Sequence, residues 1–166
     1  IPAMKEVADW LEKNRPGEVG ASLIHNDYKF DNIVLDVQDI TKIIGVLDWE
    51  MATIGDPLMD LGTTVGYWIQ ADDPPALQAF VVGPTRLEGA FSRKELIERY
   101  EVRSGRKIEH PLFYFVFGIF KLAVIVQQIY KRFHLGYTKD ERFAHLNFVT
   151  RMLAEGARDR IQAGSI

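Results

Sequence analysis

The alternation of apolar and polar positions divides the chain into a short β-rich part and a longer helical part. Met4, Val7, Ala8 and Leu11 recur at helical spacing and predict a helix over 3–14, stopped by Pro16-Gly17. A short strand is expected at 22–24, followed by a polar, irregular stretch over 25–32. The β-rich runs 33–35 and 43–47, joined by a polar connector, predict a hairpin. Asp56-Pro57 reads as N-cap and first helical residue of a helix reaching about residue 68, and Asp72-Asp73-Pro74-Pro75 breaks the chain. Ser92 and Glu95 form a capping-box pattern for a helix to 104, with Gly105 behind it. A long apolar helix over 111–133 and an amphipathic one over 139–163, separated by Gly136, complete the outline. The expected fold class is α+β, mainly α.

The run 112–126 is strongly apolar but contains Lys121 and ends at Gln127-Gln128. It falls short of the roughly 20 residues that span a bilayer, so it reads as the central helix of a soluble core. No membrane partner is expected.

Composition narrows the classes further. At 166 residues, 47% hydrophobic and 26% charged, the chain can bury one core, which excludes wholesale disorder. It contains no cysteine, which excludes a disulfide scaffold, a zinc knuckle or a thiol nucleophile. A formal charge of -3 gives no basic face for nucleic acid. No signal peptide is visible, and a cytoplasmic location is expected. The chain opens at Ile1 rather than Met, so further residues are expected upstream. Charge is unevenly distributed: residues 1–66 carry 12 acids and 5 bases, and residues 67–166 carry 11 acids and 15 bases. The acids crowd between Asp27 and Asp60, either as a solvated surface or around a shared cation.

Hairpin geometry favours a cation. If 33–36 pairs antiparallel with 43–47, Asn32 faces Leu47 and Asp31 faces Asp48, so Asn32 and Asp48 reach one end of the ribbon beside Asp27. An amide oxygen and one or two carboxylates suit Mg²⁺, which keeps several waters and takes its other ligands from substrate phosphates.

The segment His25-Asn26-Asp27-Tyr28-Lys29-Phe30-Asp31-Asn32 has the form H-x-D-x-K-x-x-N, and Leu47-Asp48-Trp49-Glu50 follows. Together they resemble the catalytic loop and metal-binding aspartate of protein-kinase-like phosphotransferases. With Gly55-Asp56-Pro57-Leu58-Met59-Asp60-Leu61, the match is nearest the aminoglycoside phosphotransferase and choline kinase superfamily. It is nearest of all to the phosphotransferase domains that accompany acyl-CoA dehydrogenases. The resemblance implies the C-terminal lobe of a kinase-like fold, its β-hairpin carrying the catalytic loop and the metal ligands. It implies ATP or another nucleoside triphosphate and Mg²⁺ as cofactors. Asp27 would orient or accept the proton of the attacking hydroxyl, Lys29 would approach the γ-phosphate, and Asn32 and Asp48 would hold the metal and nucleotide. His25, Glu50 and Asp60 would support the loop. Phe30 stands where the protein-kinase loop usually has proline.

Neither a glycine-rich phosphate loop nor a V-A-I-K lysine precedes this segment. An N-terminal nucleotide-binding lobe is therefore expected upstream, with 1–166 forming the C-terminal lobe and binding nucleotide poorly alone. The expected activity is transfer of phosphate to a hydroxyl of a small molecule. The basic balance of 67–166 favours a neutral or anionic metabolite, such as a hydroxyacyl-CoA, over a polycationic aminoglycoside. Antibiotic phosphorylation, a catalytically silent binding module and a metal-dependent phosphohydrolase are the alternatives. The last lacks support, because His110, His134 and His145 have no ligand-like spacing.

Overall fold

The computed structural model describes residues 1–17, 19–78 and 83–166. Among these are helices α1 (Pro2–Lys13), α2 (Pro57–Tyr67), α3 (Pro75–Gln78), α4 (Arg93–Ser104), α5 (Pro111–His134) and α6 (Leu146–Ala163). The strands are β1 (Ser22–Ile24), β2 (Ile33–Leu35), β3 (Ile43–Val46) and β4 (Thr53–Gly55). The fold is mainly helical with two small antiparallel sheets.

The hairpin forms with Ile33 opposite Val46 and Val34 opposite Gly45, and a bulge before the Leu35–Ile43 pair. The Leu47 N–H donates to the Asn32 carbonyl at 2.8 Å, which carries the register one step further. β4 was not legible in the pattern. Three residues carry little periodicity, and Thr53–Gly55 is a strand because β1 lies antiparallel beside it, with Leu23 opposite Ile54. This second pairing ties the segment before the polar loop to the start of α2.

Helix starts follow their caps. The Asp56 carboxylate accepts from Leu58 N–H at 2.8 Å with Pro57 as first helical residue, and Ser92 and Glu95 form a reciprocal capping box. The last helix begins at Leu146 rather than 139. Asp140 accepts from the Arg142 N–H and caps a separate 3₁₀ turn at Glu141–Phe143, which draws those residues out of the helix. α3 fits a single turn in beginning at the second proline of the pair Pro74-Pro75.

At 24 residues α5 outlasts the apolar run and reaches the length of a membrane span, yet it packs in the core. α2 and α6 are its main neighbours, and Phe113, Tyr114, Phe115, Val116, Ile119 and Leu122 are buried along it. α2 and α5 meet without side chains between them. A Cβ on Gly118 would stand 2.0 Å from the Gly62 carbonyl oxygen, and one on Gly62 would stand 2.2 Å from that of Tyr114.

A buried ion pair anchors α4. The Arg93 guanidinium donates two bonds to the Asp73 carboxylate, Nη1 to Oδ1 at 2.9 Å, and lies 4.9 Å from the Phe115 ring centroid. Their side chains are 4% and 1% exposed, so loss of Asp73 would strand the Arg93 charge, whereas Asp73 also has Arg160 Nη2 at 3.4 Å.

Gly118→Ala should lower unfolding free energy by about 2–3 kcal/mol in urea titration, because backbone must move to admit the methyl group. Gly156→Ala in α6, where an added Cβ meets nothing within 4 Å, should be neutral or stabilising by up to about 1 kcal/mol. Equal effects at the two sites would refute the close crossing as the cause.

Candidate active site

The polar stretch after β1 is held from beneath by α2. Asp60, one turn into that helix, accepts the His25 N–H and the Asn26 N–H on its two carboxylate oxygens, each at 2.6 Å. One turn on, Thr64 Oγ1 donates to the Tyr28 carbonyl at 2.9 Å. Asn26 is left-handed, with φ 66°, an uncommon state for a residue with a side chain. Three contacts hold it there besides Asp60. Its Nδ2 donates to the Met51 carbonyl at 3.0 Å, and Lys121 Nζ donates both to its carbonyl and, at 3.2 Å, to its Oδ1.

His25 is buried and braces the loop across the hairpin. Its Nδ1 accepts the Asp27 N–H at 3.1 Å, which leaves Nε2–H to donate to the Leu47 carbonyl at 2.7 Å. Trp49 packs against the ring at 4.7 Å between centroids. One imidazole thereby ties Asp27 to the residue before Asp48.

Asp27 itself is 8% exposed and surrounded by donors. Tyr67 Oη donates to Oδ1 at 2.6 Å, while Lys29 Nζ at 2.8 Å and Asn32 Nδ2 at 3.1 Å donate to Oδ2. Burial alone would raise its pKa. The hydrogen bonds from Lys29, Tyr67 and Asn32, with the Lys29 charge, outweigh that effect and hold it below the ordinary carboxylate range. Burial, then the bond to Asp27, pushes the Tyr67 phenol far above its usual value. Asp27 is therefore a carboxylate at neutral pH.

Asn32 is buried, and its amide nitrogen is committed to the carbonyl and carboxylate of Asp27. That orientation leaves Oδ1 as its remaining ligand atom. Asp48 follows the Leu47 that pairs with Asn32, is exposed, and is left-handed at φ 64°. No side-chain hydrogen bond engages its carboxylate among the described residues. One amide oxygen and one uncommitted carboxylate fit a cation that completes its shell with water and phosphate. No cluster of three or more His, Cys, Asp or Glu suited to a metal occurs among the described residues. Three neighbouring acids are committed elsewhere: Asp36 and Asp39 to turn N–H groups, and Asp56 to its cap and to the Tyr114 hydroxyl at 2.9 Å. Glu50 is exposed in the 3₁₀ turn Trp49–Met51 and forms no hydrogen bond to the loop among the described residues.

Tyr67 and Lys121 were missed by sequence reasoning. Tyr67 lies at the same helical phase as Asp60 and Thr64, spacing that marks one face of α2. Lys121 signals itself as the lone charge inside the apolar stretch of α5. Burial draws its ammonium below the ordinary lysine value, while the charges of Asp27 and Asp60 oppose that shift.

The class defined by this fold is a kinase-like lobe. The chain matches the APH phosphotransferase enzyme family over residues 1–96 and belongs to that family. Human acyl-CoA dehydrogenase family member 11 is 34% identical over 160 residues, covering 94% of this chain and 20% of that protein. Mouse acyl-CoA dehydrogenase family member 10 is 29% identical over 160 residues, 96% of this chain and 15% of its own length. A solved Ralstonia eutropha protein assigned as an aminoglycoside phosphotransferase superposes with a TM-score of 0.82 at 29% identity. That alignment covers 98% of this chain and 50% of the other. The chain thus spans at most half the length of the proteins it resembles.

Because the native pKa of Asp27 lies below its unfolded value of about 3.9, its stabilising contribution is complete above that pH and fades as pH falls through the native value. Tyr67→Phe removes part of the cause. In metal-free buffer the stability gap between wild type and Tyr67→Phe should be largest at neutral pH and shrink on acidification. A gap unchanged by pH in urea unfolding would contradict this.

Proposed function

We propose that the chain carries the catalytic loop of an ATP- and Mg²⁺-dependent phosphotransferase acting on a hydroxyl of a small molecule. The supporting observation is the ionised, buried Asp27 carboxylate, held in place by Lys29, Tyr67 and Asn32, with His25 tying its backbone to Leu47, the residue before Asp48. The acceptor hydroxyl oxygen forms a bond to the γ-phosphorus, the bond to the bridging oxygen of the nucleoside diphosphate breaks, and the hydroxyl proton passes to Asp27. A carboxylate held at low pKa is a weak base. Asp27 therefore chiefly orients the hydroxyl and takes its proton late, as a loose phosphoryl transition state allows. Lys29, already paired with Asp27, lies within reach of the transferred phosphate. The cation held by Asn32 and Asp48 would neutralise the nucleotide phosphates.

A nucleotide-binding lobe outside these 166 residues belongs to the same reading. The sequence supplies neither the glycine-rich loop nor its partner lysine. Val37, Ile40, Ile44 and Leu47 leave the hairpin with an exposed apolar surface for such a lobe to cover.

For the acceptor we favour a hydroxyacyl-CoA or a similar anionic metabolite. The names of the acyl-CoA dehydrogenase relatives and the basic balance of 67–166 support it. The name of the Ralstonia protein favours an aminoglycoside as the second reading.

In the intact protein Asp27→Asn should lower phosphate transfer by about 10²–10⁴-fold while leaving nucleotide affinity nearly unchanged. Unaltered turnover would leave only a binding role. A screen of hydroxyacyl-CoAs against kanamycin-like sugars and choline should show turnover of the first; turnover confined to the sugars would establish the second reading.

A further inference from the structure

Two clefts adjoin the catalytic loop and share walls. One, of about 210 Å³, is bordered by Lys29, Tyr67 and Trp68, the other, of about 390 Å³, by β1, and both are lined by Tyr28, Thr64 and Leu96. The larger one runs between two helices that each present one face to it. α2 contributes Pro57, Asp60, Leu61 and Thr64, and α4 contributes Leu96, Arg99, Tyr100 and Arg103. Both sets follow the i, i+3, i+4, i+7 spacing of a single helical stripe.

Positive charge is concentrated on the α4 wall of this trough. Arg99 and Arg103 are exposed, one turn apart, and form no ion pair among the described residues; Arg99 only lies over the Phe91 ring at 5.5 Å. Acids on their own helix are engaged elsewhere. Glu95 closes the capping box, Glu98 lies 3.9 Å from Lys94, and Glu101 accepts the Ile108 N–H at 2.7 Å. Asp60, the one carboxylate lining the trough, has both oxygens filled by the loop. Two adjacent guanidinium groups without a counter-charge suit a phosphate. Leu96, shared with the cleft at Lys29 and Tyr67, marks the reactive end, and seven residues of helix place Arg103 about 10 Å further on.

We infer that the α2–α4 trough is the acceptor channel and that Arg99 and Arg103 bind a phosphate group of the acceptor, about 10 Å along an apolar spacer from the hydroxyl to be phosphorylated. The inference rests on the phosphotransferase reading for the identity of the ligand as an acceptor. Polycationic acceptors are disfavoured by the same charges.

Calorimetry on the intact protein without nucleotide tests the site independently of transfer. The probes are 8-hydroxyoctyl phosphate and 1,8-octanediol, alike in length and differing in charge. The phosphate should bind at least about tenfold more tightly, a difference of the size expected for charge-assisted hydrogen bonds. The double variant Arg99→Gln/Arg103→Gln should abolish that preference and leave diol affinity unchanged. Lys94→Gln, an exposed charge on the same helix that does not line the trough, should preserve it. Equal binding of the two probes, or a preference surviving the double variant, would overturn the inference; so would equal loss in Lys94→Gln. Absence of phosphorylation of every acceptor, with the arginine-dependent preference intact, would instead refute the phosphotransferase reading and leave the anion site standing. Both arginines are exposed, so the variants should retain the wild-type melting temperature to within a few degrees.

Discussion

Helices α2 and α5 cross where neither carries a side chain, and the placement of the polar loop 25–32 depends on that contact. With Gly62 facing Gly118, the backbones approach until an added methyl group would overlap a carbonyl oxygen. Ordinary helix pairs keep axes about 8–10 Å apart because side chains fill the space between them. Here the close approach brings two sets of polar groups to the same loop. Asp60, Thr64 and Tyr67 come from α2, and Lys121 comes from α5, three residues past the crossing glycine.

The loop needs that support because its conformation is unfavourable alone. Asn26 and Asp48 both occupy the left-handed region, which costs an L-residue of order 1 kcal/mol or more at each site. At Asn26, Asp60 binds the N–H while Lys121 binds the carbonyl, so both sides of the turned residue are fixed by charged groups on separate helices. Charge-assisted bonds to backbone are stronger than neutral ones and offset such a cost. The same groups shape the field around Asp27. Lys29 neutralises its carboxylate directly, and Lys121 adds a second positive charge from below. Burial without these donors would favour the protonated form of the carboxyl group.

Away from the loop, α4 is placed by different means. It shares little surface with α2, and its first residue, Arg93, is tied to Asp73 in a buried, bidentate pair that also stacks on Phe115. A helix anchored at its start and loosely packed along its length leaves a trough beside it. An anchored helix and an open cleft are therefore two aspects of one arrangement.

Much of the arrangement around the polar loop was legible in the linear order of residues. The loop 25–32, the hairpin and Asp48 lie within a few tens of residues, and local hydrogen bonding makes their neighbourhood nearly unavoidable once the two β runs pair. Asp56 and Ser92 announced their helices because caps act within one turn. β4, α3 and the late start of α6 escaped because short elements are stabilised by what they lie against rather than by their own pattern. Tyr67 and Lys121 escaped for a stronger reason. Their partners lie 40 and 95 residues away, and only the crossing of α2 over α5 brings them to Asp27 and Asn26. The amino-acid order by itself determined that Asp27, Lys29 and Asn32 meet in one loop and that the hairpin pairs Asn32 with the residue before Asp48, since those contacts run through near neighbours. Tertiary packing alone decided how the loop is strained, that Tyr67 adds its hydroxyl to the local donors around Asp27, and where the trough with its two arginines runs, because each depends on the distance between segments far apart along the chain.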